Sequence, residues 1–309
     1  MPPLTSYTVK LTDEQFERIR LDLAQRGFAF REVPYAHFGA SKEKLQVTAF
    51  QSGKLLAQGK GVEEFVQFYL EPEILGEARL GYEHVHDPTI LEPRIGVDES
   101  GKGDFFGPLV IAGVFLNRAA IDALRGSGVR DSKTVTSDKR IFELAKLIRQ
   151  TSGCVVKIVP IGPPAYNKLL VEMRNVNKML AWGHARVIEN VLETLEKSGE
   201  ECKRAVADQF GDKRLIENAL LKRGRSIQLV QRHKAESDLA VAAASIIARD
   251  EFVQRLAALS KKYGVKMPKG AGAQVDEAGR EFLKKHGPAK LGEVAKIHFR
   301  TTQKITQLP

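Results

Sequence analysis

Two strand-like runs, 94–99 and 107–116, lie so close in the chain that only residues 100–106 join them. Strands connected by so short a loop must run antiparallel, because a parallel crossover needs a dozen residues or more. Further strand-like runs, at about 153–160, 203–208 and 226–231, alternate with helical patterns at about 137–150, 164–174, 177–198, 212–222, 236–259 and 276–286. Alternation of that kind favours parallel neighbours. Residues 93–309 are therefore expected to form an α/β domain, a mixed five-stranded sheet flanked by helices.

The loop between the first two strands nearly reads as a nucleotide-binding loop. Gly96, four residues and then Gly101-Lys102 satisfy the spacing, but Gly103 stands where a Ser or Thr would ligate magnesium. Asp98 and Glu99 occupy the interior of the supposed cradle. Such loops work by turning backbone N–H groups and a lysine toward phosphate, and two carboxylates there would repel it. The repulsion disappears if divalent cations lie between carboxylate and phosphate, and hard cations need more oxygen ligands.

Two further carboxylates are candidates. Asp208 ends a short apolar strand in "KRAVADQF", and ligands gather at strand carboxyl ends in open α/β sheets; a lone Asp there serves equally as a cap or turn residue. Glu236 opens the Ala- and Ser-rich stretch "ESDLAVAAASIIARDEF". Glu236, Ala240, Ala243 and Ile247 share one face at helical spacing, a face expected to pack on the sheet. A carboxylate so placed needs a partner, unless it is only a helix-start anion favoured by the dipole. Asp98, Glu99, Asp208 and Glu236 together could hold two magnesium or manganese ions. Lys102 and the amides around Gly101 and Gly103 could touch a substrate backbone, since no Cβ blocks its approach.

Before this domain, Thr12 and Gln15 form a capping box, with Leu11 and Phe16 as hydrophobic staple, for a helix running to about Gln25. Strand-like runs at 28–38, 44–50 and 54–58 follow, then a helix at about 62–70. Residues 1–70 thus read as a small α+β domain. In its middle strand Leu45, Val47 and Ala49 point one way and Lys44, Gln46, Thr48 and Phe50 the other. The second face is either a solvated surface or a nucleic-acid platform. The acidic stretch 71–92, with Pro72 and Pro88, reads as a linker, and His84 and His86 as solvated loop residues.

The net charge of +10 is uneven. Residues 1–62 carry 9 basic and 6 acidic side chains, 63–92 carry 1 and 8, and 93–309 carry 38 and 24. The basic segment favours a polyanionic partner, most simply nucleic acid. No apolar stretch is long enough for a transmembrane helix, and the first residues lack a signal-peptide layout. Cys154 and Cys202 form neither a metal spacing nor a disulfide framework. A cytoplasmic location is expected.

Taken jointly, "GVDESGKGDFFGPLV", "DSK" at 131–133, "DQF" at 208–210 and "AESDLAVAAASIIARDEF" resemble bacterial ribonuclease HIII, the type 2 ribonuclease H lineage with an extra N-terminal domain. The resemblance spans nearly the whole chain. It implies a ribonuclease H-like catalytic fold preceded by a domain similar to the TATA-box-binding protein, which helps to grip the substrate. It also implies metal-dependent endonucleolytic cleavage of the RNA strand of RNA–DNA hybrids, leaving 5′-phosphate and 3′-hydroxyl ends. The family's Asp-Glu-Asp-Glu metal site maps onto Asp98, Glu99, Asp208 and Glu236, with two Mg2+ or Mn2+ ions. Gly101, Lys102 and Gly103 would read 2′-hydroxyls, Ser132 and Lys133 would contact phosphate, and Lys44, Gln46, Thr48 and Phe50 would face the hybrid. The related ribonuclease HII has Asp at the fourth position and usually Gly-Arg-Gly in the loop, so excision of single ribonucleotides is not expected. A monomer without an obligate protein partner and without membrane attachment is expected.

Trp182 reads as core, His233 and His298 as structural histidines, and Lys284-Lys285 as a solvated helix face. Two rivals stay open on residues alone: a nucleotide-binding switch built on Gly96–Gly103, and a non-catalytic hybrid-binding protein.

Overall fold

The computed structural model describes residues 4–76, 91–129, 132, 135, 137–208, 212–232 and 235–306, with the backbone alone of Lys213, Arg232 and Glu236. The chain divides into two compact units, Met1–Ile90 and Leu91–Pro309.

The first unit is an antiparallel sheet backed by helices. Its elements are β1 (Ser6–Lys10), α1 (Asp13–Gln25), β2 (Ala29–Arg31), β3 (Ala36–Lys42), β4 (Leu45–Phe50), β5 (Lys54–Gly59) and α2 (Val62–Phe65). The strand order is β1-β5-β4-β3-β2. The capping box at Thr12 forms as expected, with both reciprocal bonds to Gln15. Phe16, Ile19 and Leu23 of α1 are buried with Val47, Ala49, Leu55 and Ala57 of the sheet. Two features depart from the sequence reading. The run 28–38 splits into β2 and β3, because Pro34 cannot donate to a ladder and Tyr35 takes a left-handed backbone, φ 61°. β1, whose short mixed sequence gave little strand signal, pairs with β5 along its whole length.

α2 continues as π-type turns over Val66–Leu75, ending at Gly76 in the left-handed region. Glu71 and Ile74, expected in the linker, are therefore buried helical residues. Glu71 accepts a hydrogen bond from the Tyr7 hydroxyl at 3.2 Å, which compensates the burial of a polar group. The remaining expectations for the linker, including His84 and His86, lie outside the described residues.

The second unit contains β6 (Arg94–Ser100), β7 (Leu109–Leu116), α3 (Arg118–Leu124), α4 (Asp138–Gln150), β8 (Cys154–Ile161), α5 (Pro163–Met173), α6 (Val176–Ser198), β9 (Arg204–Asp208), α7 (Lys213–Ala219), β10 (Gln228–Arg232), α8 (Leu239–Tyr263), α9 (Ala273–His286) and α10 (Arg300–Thr306). The five-stranded sheet runs β10-β9-β6-β7-β8. β6 and β7 are antiparallel, whereas β9 is parallel to both β6 and β10, so the sheet is mixed as expected. β8 returns antiparallel on β7 although helices separate them in sequence.

Helices cover both faces, and β7 is buried throughout. Ile95 and Val97 pack with Val187, Ile188 and Val191 of α6. On the opposite face α8 lies directly on the strand: a Cβ on Gly96 would sit 2.0 Å from the carbonyl carbon of Ala240. Gly96 therefore permits helix-to-sheet contact and is not part of a phosphate cradle. A nucleotide loop also requires a helix after the glycines, and here the chain turns back into β7. The nucleotide-switch rival is overturned.

Candidate active site

The alternation along β6 sends its two carboxylates to opposite faces of the sheet. Asp98 shares the α8 face with Gly96, and Glu99 shares the α6 face with Val97. Parallel pairing of β6 with β9 aligns Gly96 with Val206 and Val97 with Ala207. One step further along this register stands Asp98 beside Asp208, about 5 Å apart at the backbone, the ordinary spacing of neighbouring strands. Both project toward the α8 face. Asp208 is half-buried and ends β9, where the sequence placed it.

The Asp98 carboxyl is strongly perturbed. Burial, followed by the neighbouring charge of Glu99, raises its pKa to about 7. Opposing this, its Oδ1 accepts the Glu99 backbone N–H at 2.8 Å, and the Ser245 hydroxyl and His184 also favour the charged form. A divalent cation alongside would favour the charged form in the same way and more strongly. Carboxylate oxygens converging at a strand end are the hard donors that magnesium or manganese takes, so the residues present fit such a group.

Glu99 is held by a residue the sequence reading missed. Nε2 of fully buried His184, on α6, lies 3.1 Å from Glu99 Oε2. In the sequence the signal for it is a histidine within an otherwise apolar helical face, beside Gly183. Lys102 approaches the other Glu99 oxygen at 3.9 Å.

Glu236 does not begin α8. It lies in a separate short turn, Ala235–Ser237, and Asp238 caps the helix by accepting from the N–H groups of Ala240 and Val241. Asp238 also pairs in the interior with Arg94 at 2.7 Å, so it, rather than Glu236, is the helix-start anion. The shared face proposed for Glu236, Ala240, Ala243 and Ile247 is corrected accordingly. Ala235 packs against Val206 and Val241, which puts the Glu236 backbone next to β9, one residue from this contact; its side chain lies outside the described residues, as do Lys133 and His233.

The Gly-Lys-Gly turn divides its labour. Gly101 has φ 92°, and a Cβ there would stand 2.2 Å from the Pro108 carbonyl oxygen; Gly103 has nothing within 4 Å of its Cβ position. Gly101 is thus required by the fold, while Gly103 leaves the backbone open to an approaching molecule. The following turn is pinned from behind. Lys296, fully buried, donates from Nζ to the carbonyls of Asp104 and Gly107, each at 2.8 Å. Burial pushes this ammonium down to about 7.

Ser132 departs from its expected role as a phosphate contact. It is buried, its hydroxyl 2.7 Å from that of Ser245, and so it is turned into the protein rather than toward a ligand. In the first unit Lys44 and Gln46 are exposed and Phe50 is half-buried, but Thr48 is buried. Gly39 stands opposite Thr48, and Val33 and Arg31 fold over that glycine, within 2.6 and 3.1 Å of a Cβ there; they close this part of the face. His298 is exposed and stacks on Tyr166 at 5.5 Å. Trp182 packs at the edge of the core, and Lys284 and Lys285 are exposed.

Known proteins match this architecture along nearly its full length. The family described as ribonuclease HII matches residues 95–302, and one described as a domain of unknown function, DUF3378, matches residues 7–78. Ribonuclease HIII of Protochlamydia amoebophila is 44% identical over 99% of this chain and 97% of its own. That of Chlamydia pneumoniae is 42% identical over 99% of each. Among solved structures, Bst-RNase HIII in complex with Mn2+ superposes with a TM-score of 0.67 at 29% identity, covering 97% of this chain and 98% of that one. Aquifex aeolicus RNase H3 gives 0.53 at 26% identity, over 95% and 100%. A ribonuclease H-like sheet with paired acidic residues at adjoining strand ends, an added N-terminal unit and relatives of this closeness agree, and the chain belongs to the ribonuclease HIII family.

Proposed function

We propose that this ribonuclease H cuts the RNA strand of RNA–DNA hybrids by two-metal hydrolysis, leaving 5′-phosphate and 3′-hydroxyl ends. The observation that carries the reading is the juxtaposition of Asp98 and Asp208 on adjoining parallel strands, with the Asp98 carboxyl raised to about 7. Asp98, Glu99, Asp208 and Glu236 would hold two Mg2+ or Mn2+ ions; the Mn2+ complex of the Bst relative supports the use of a divalent cation. When bound, such ions supply an activated water and neutralise charge on the departing oxygen. Asp98 and Asp208 would contribute ligands from adjoining strands, Glu99, oriented by His184, would add another, and Glu236 would complete the set from the turn before α8.

The protein's own contribution is positioning. Gly103 and the amides beside it lie along the RNA strand, where the 2′-hydroxyl distinguishes RNA from DNA. Lys102 and Lys133 engage phosphate, and the buried Ser132 acts by holding that segment in place. The exposed Lys44 and Gln46 and the half-buried Phe50 of the first unit supply further hybrid contacts. The enzyme works as a cytoplasmic monomer; among the described residues no helix is long and apolar enough to cross a membrane.

The test is cleavage of end-labelled hybrid, double-stranded RNA and DNA bearing one ribonucleotide, each with Mg2+, Mn2+ or EDTA. Metal-dependent cutting of the hybrid alone is expected. Intact RNA with a retarded band would instead establish the non-catalytic binder.

A further inference from the structure

The Ser132 segment, which Ser132 holds in place, and the Gly101–Gly103 turn belong to different parts of the chain, yet the structure ties both to one carboxylate. Arg249 of α8 donates from Nη1 to the backbone carbonyls of Ser132 and Val135, the latter at 2.9 Å. Its Nη2 lies 3.3 Å from Asp138 Oδ1. From the other side Lys269 places Nζ 2.9 Å and 3.0 Å from the two Asp138 oxygens. The next residue, Gly270, donates its N–H to Asp104 Oδ1 at 2.6 Å and accepts from the Phe105 N–H at 2.9 Å. Asp104 immediately follows the Gly-Lys-Gly turn.

Resting on the hybrid-cleavage reading above, we propose that Asp138 is a positioning residue that fixes the backbone at Ser132 and Val135 and the Gly101–Gly103 turn relative to one another. The physical case is one of charge and connectivity. Arg249 and Lys269 are both committed to Asp138 Oδ1, and without the carboxylate two cations would face each other and repel. Partial burial works to raise the Asp138 pKa, but the hydrogen bonds and charges of Lys269 and Arg249 outweigh it and hold the carboxyl below its usual range. A lone exposed ion pair contributes little. Here each cation or its neighbour also grips backbone, so the network transmits position rather than only adding attraction. Arg249 alone has the planar fork to serve two carbonyls and a carboxylate at once.

The experiment compares wild type, Asp138→Asn, Asp138→Glu and Lys269→Met in steady-state cleavage of an RNA–DNA hybrid with Mn2+, alongside thermal melting. Small displacements of groups that position a substrate carry large kinetic penalties, so Asp138→Asn is expected to raise KM roughly tenfold. kcat should stay within about twofold, and the melting midpoint within a few degrees. Asp138→Glu should recover most of the KM, a rescue that loss of fold would not show. Lys269→Met, at a half-exposed position, should raise KM in the same direction, and combining it with Asp138→Asn should add little. An unchanged KM in Lys269→Met, or in a folded Asp138→Asn, overturns the proposal. So does a fall in kcat that only tracks the folded fraction. Failure of wild type to cut any hybrid would instead overturn the assignment of activity.

Discussion

Replacing Asp98 by Asn should stabilise the metal-free protein while abolishing its chemistry. The folded-state pKa of about 7 lies above the ordinary value of 3.8, so the folded chain holds the proton more tightly than the unfolded chain does. The stabilisation from that proton is fully present below about pH 4 and is lost as pH rises through about 7. Raising the pKa from 3.8 to about 7 corresponds to about 4 kcal/mol as the full cost of charging Asp98. Discounting by about half for the water that reaches a half-buried group leaves on the order of 2 kcal/mol. Asparagine keeps the shape and carries no charge. In EDTA at pH 8 the Asp98→Asn variant should therefore melt roughly 4–8 °C above wild type, given about 2–4 °C per kcal/mol for a domain of this size. At about pH 3, below both the folded and the unfolded pKa, the two should coincide. Adding Mn2+ should raise the wild-type midpoint by mass action and leave the variant nearly unmoved, and hybrid cleavage by the variant should fall by several orders of magnitude. A variant that melts with or below wild type at pH 8 in EDTA would refute the reasoning.

Three other substitutions probe separate parts of the account. Gly96→Ala drives a methyl group into the α8 backbone, 2.0 Å from Ala240, and should cost about 3 kcal/mol or more in a urea-denaturation series. Gly103→Ala meets no neighbour within 4 Å, so its melting curve should overlay wild type while KM for the hybrid rises roughly tenfold, as expected for a backbone that must approach the substrate closely. His184→Ala releases Glu99 and should raise the Mn2+ concentration for half-maximal cleavage by roughly tenfold, the usual scale for residues that orient a metal ligand; unchanged metal dependence would remove His184 from the site.

Much of the site was legible because local rules and tertiary structure agree there. The short connection after Glu99 settled the antiparallel β6–β7 pair, and the unmatched charge of Asp98 and Glu99 pointed to cations. Asp208 emerged from its place at a strand end, although only the register with β6 brings it beside Asp98. What stayed hidden depends on contacts far apart in sequence. His184 looks like any core histidine until α6 packs beneath Glu99. Ser132 reads as a polar loop residue, and only its contact with Ser245, 113 residues away, turns the hydroxyl inward. The start of α8 was misplaced because Glu236 and Asp238 are both plausible caps, and the ion pair of Asp238 with Arg94 decides between them. In the first unit the polar alternation of β4 was real, but Thr48 is covered by Arg31 and Val33 from a neighbouring segment that the strand pattern does not reveal.

The most direct trial of the central claim is the single-turnover rate of Asp208→Asn at saturating hybrid and Mn2+, because Asp208 joins the site only through strand pairing. The account predicts intact hybrid affinity with RNA cleavage slowed at least a thousandfold, on the order of the loss expected when two-metal chemistry is disabled. Cleavage at a rate close to wild type would contradict it.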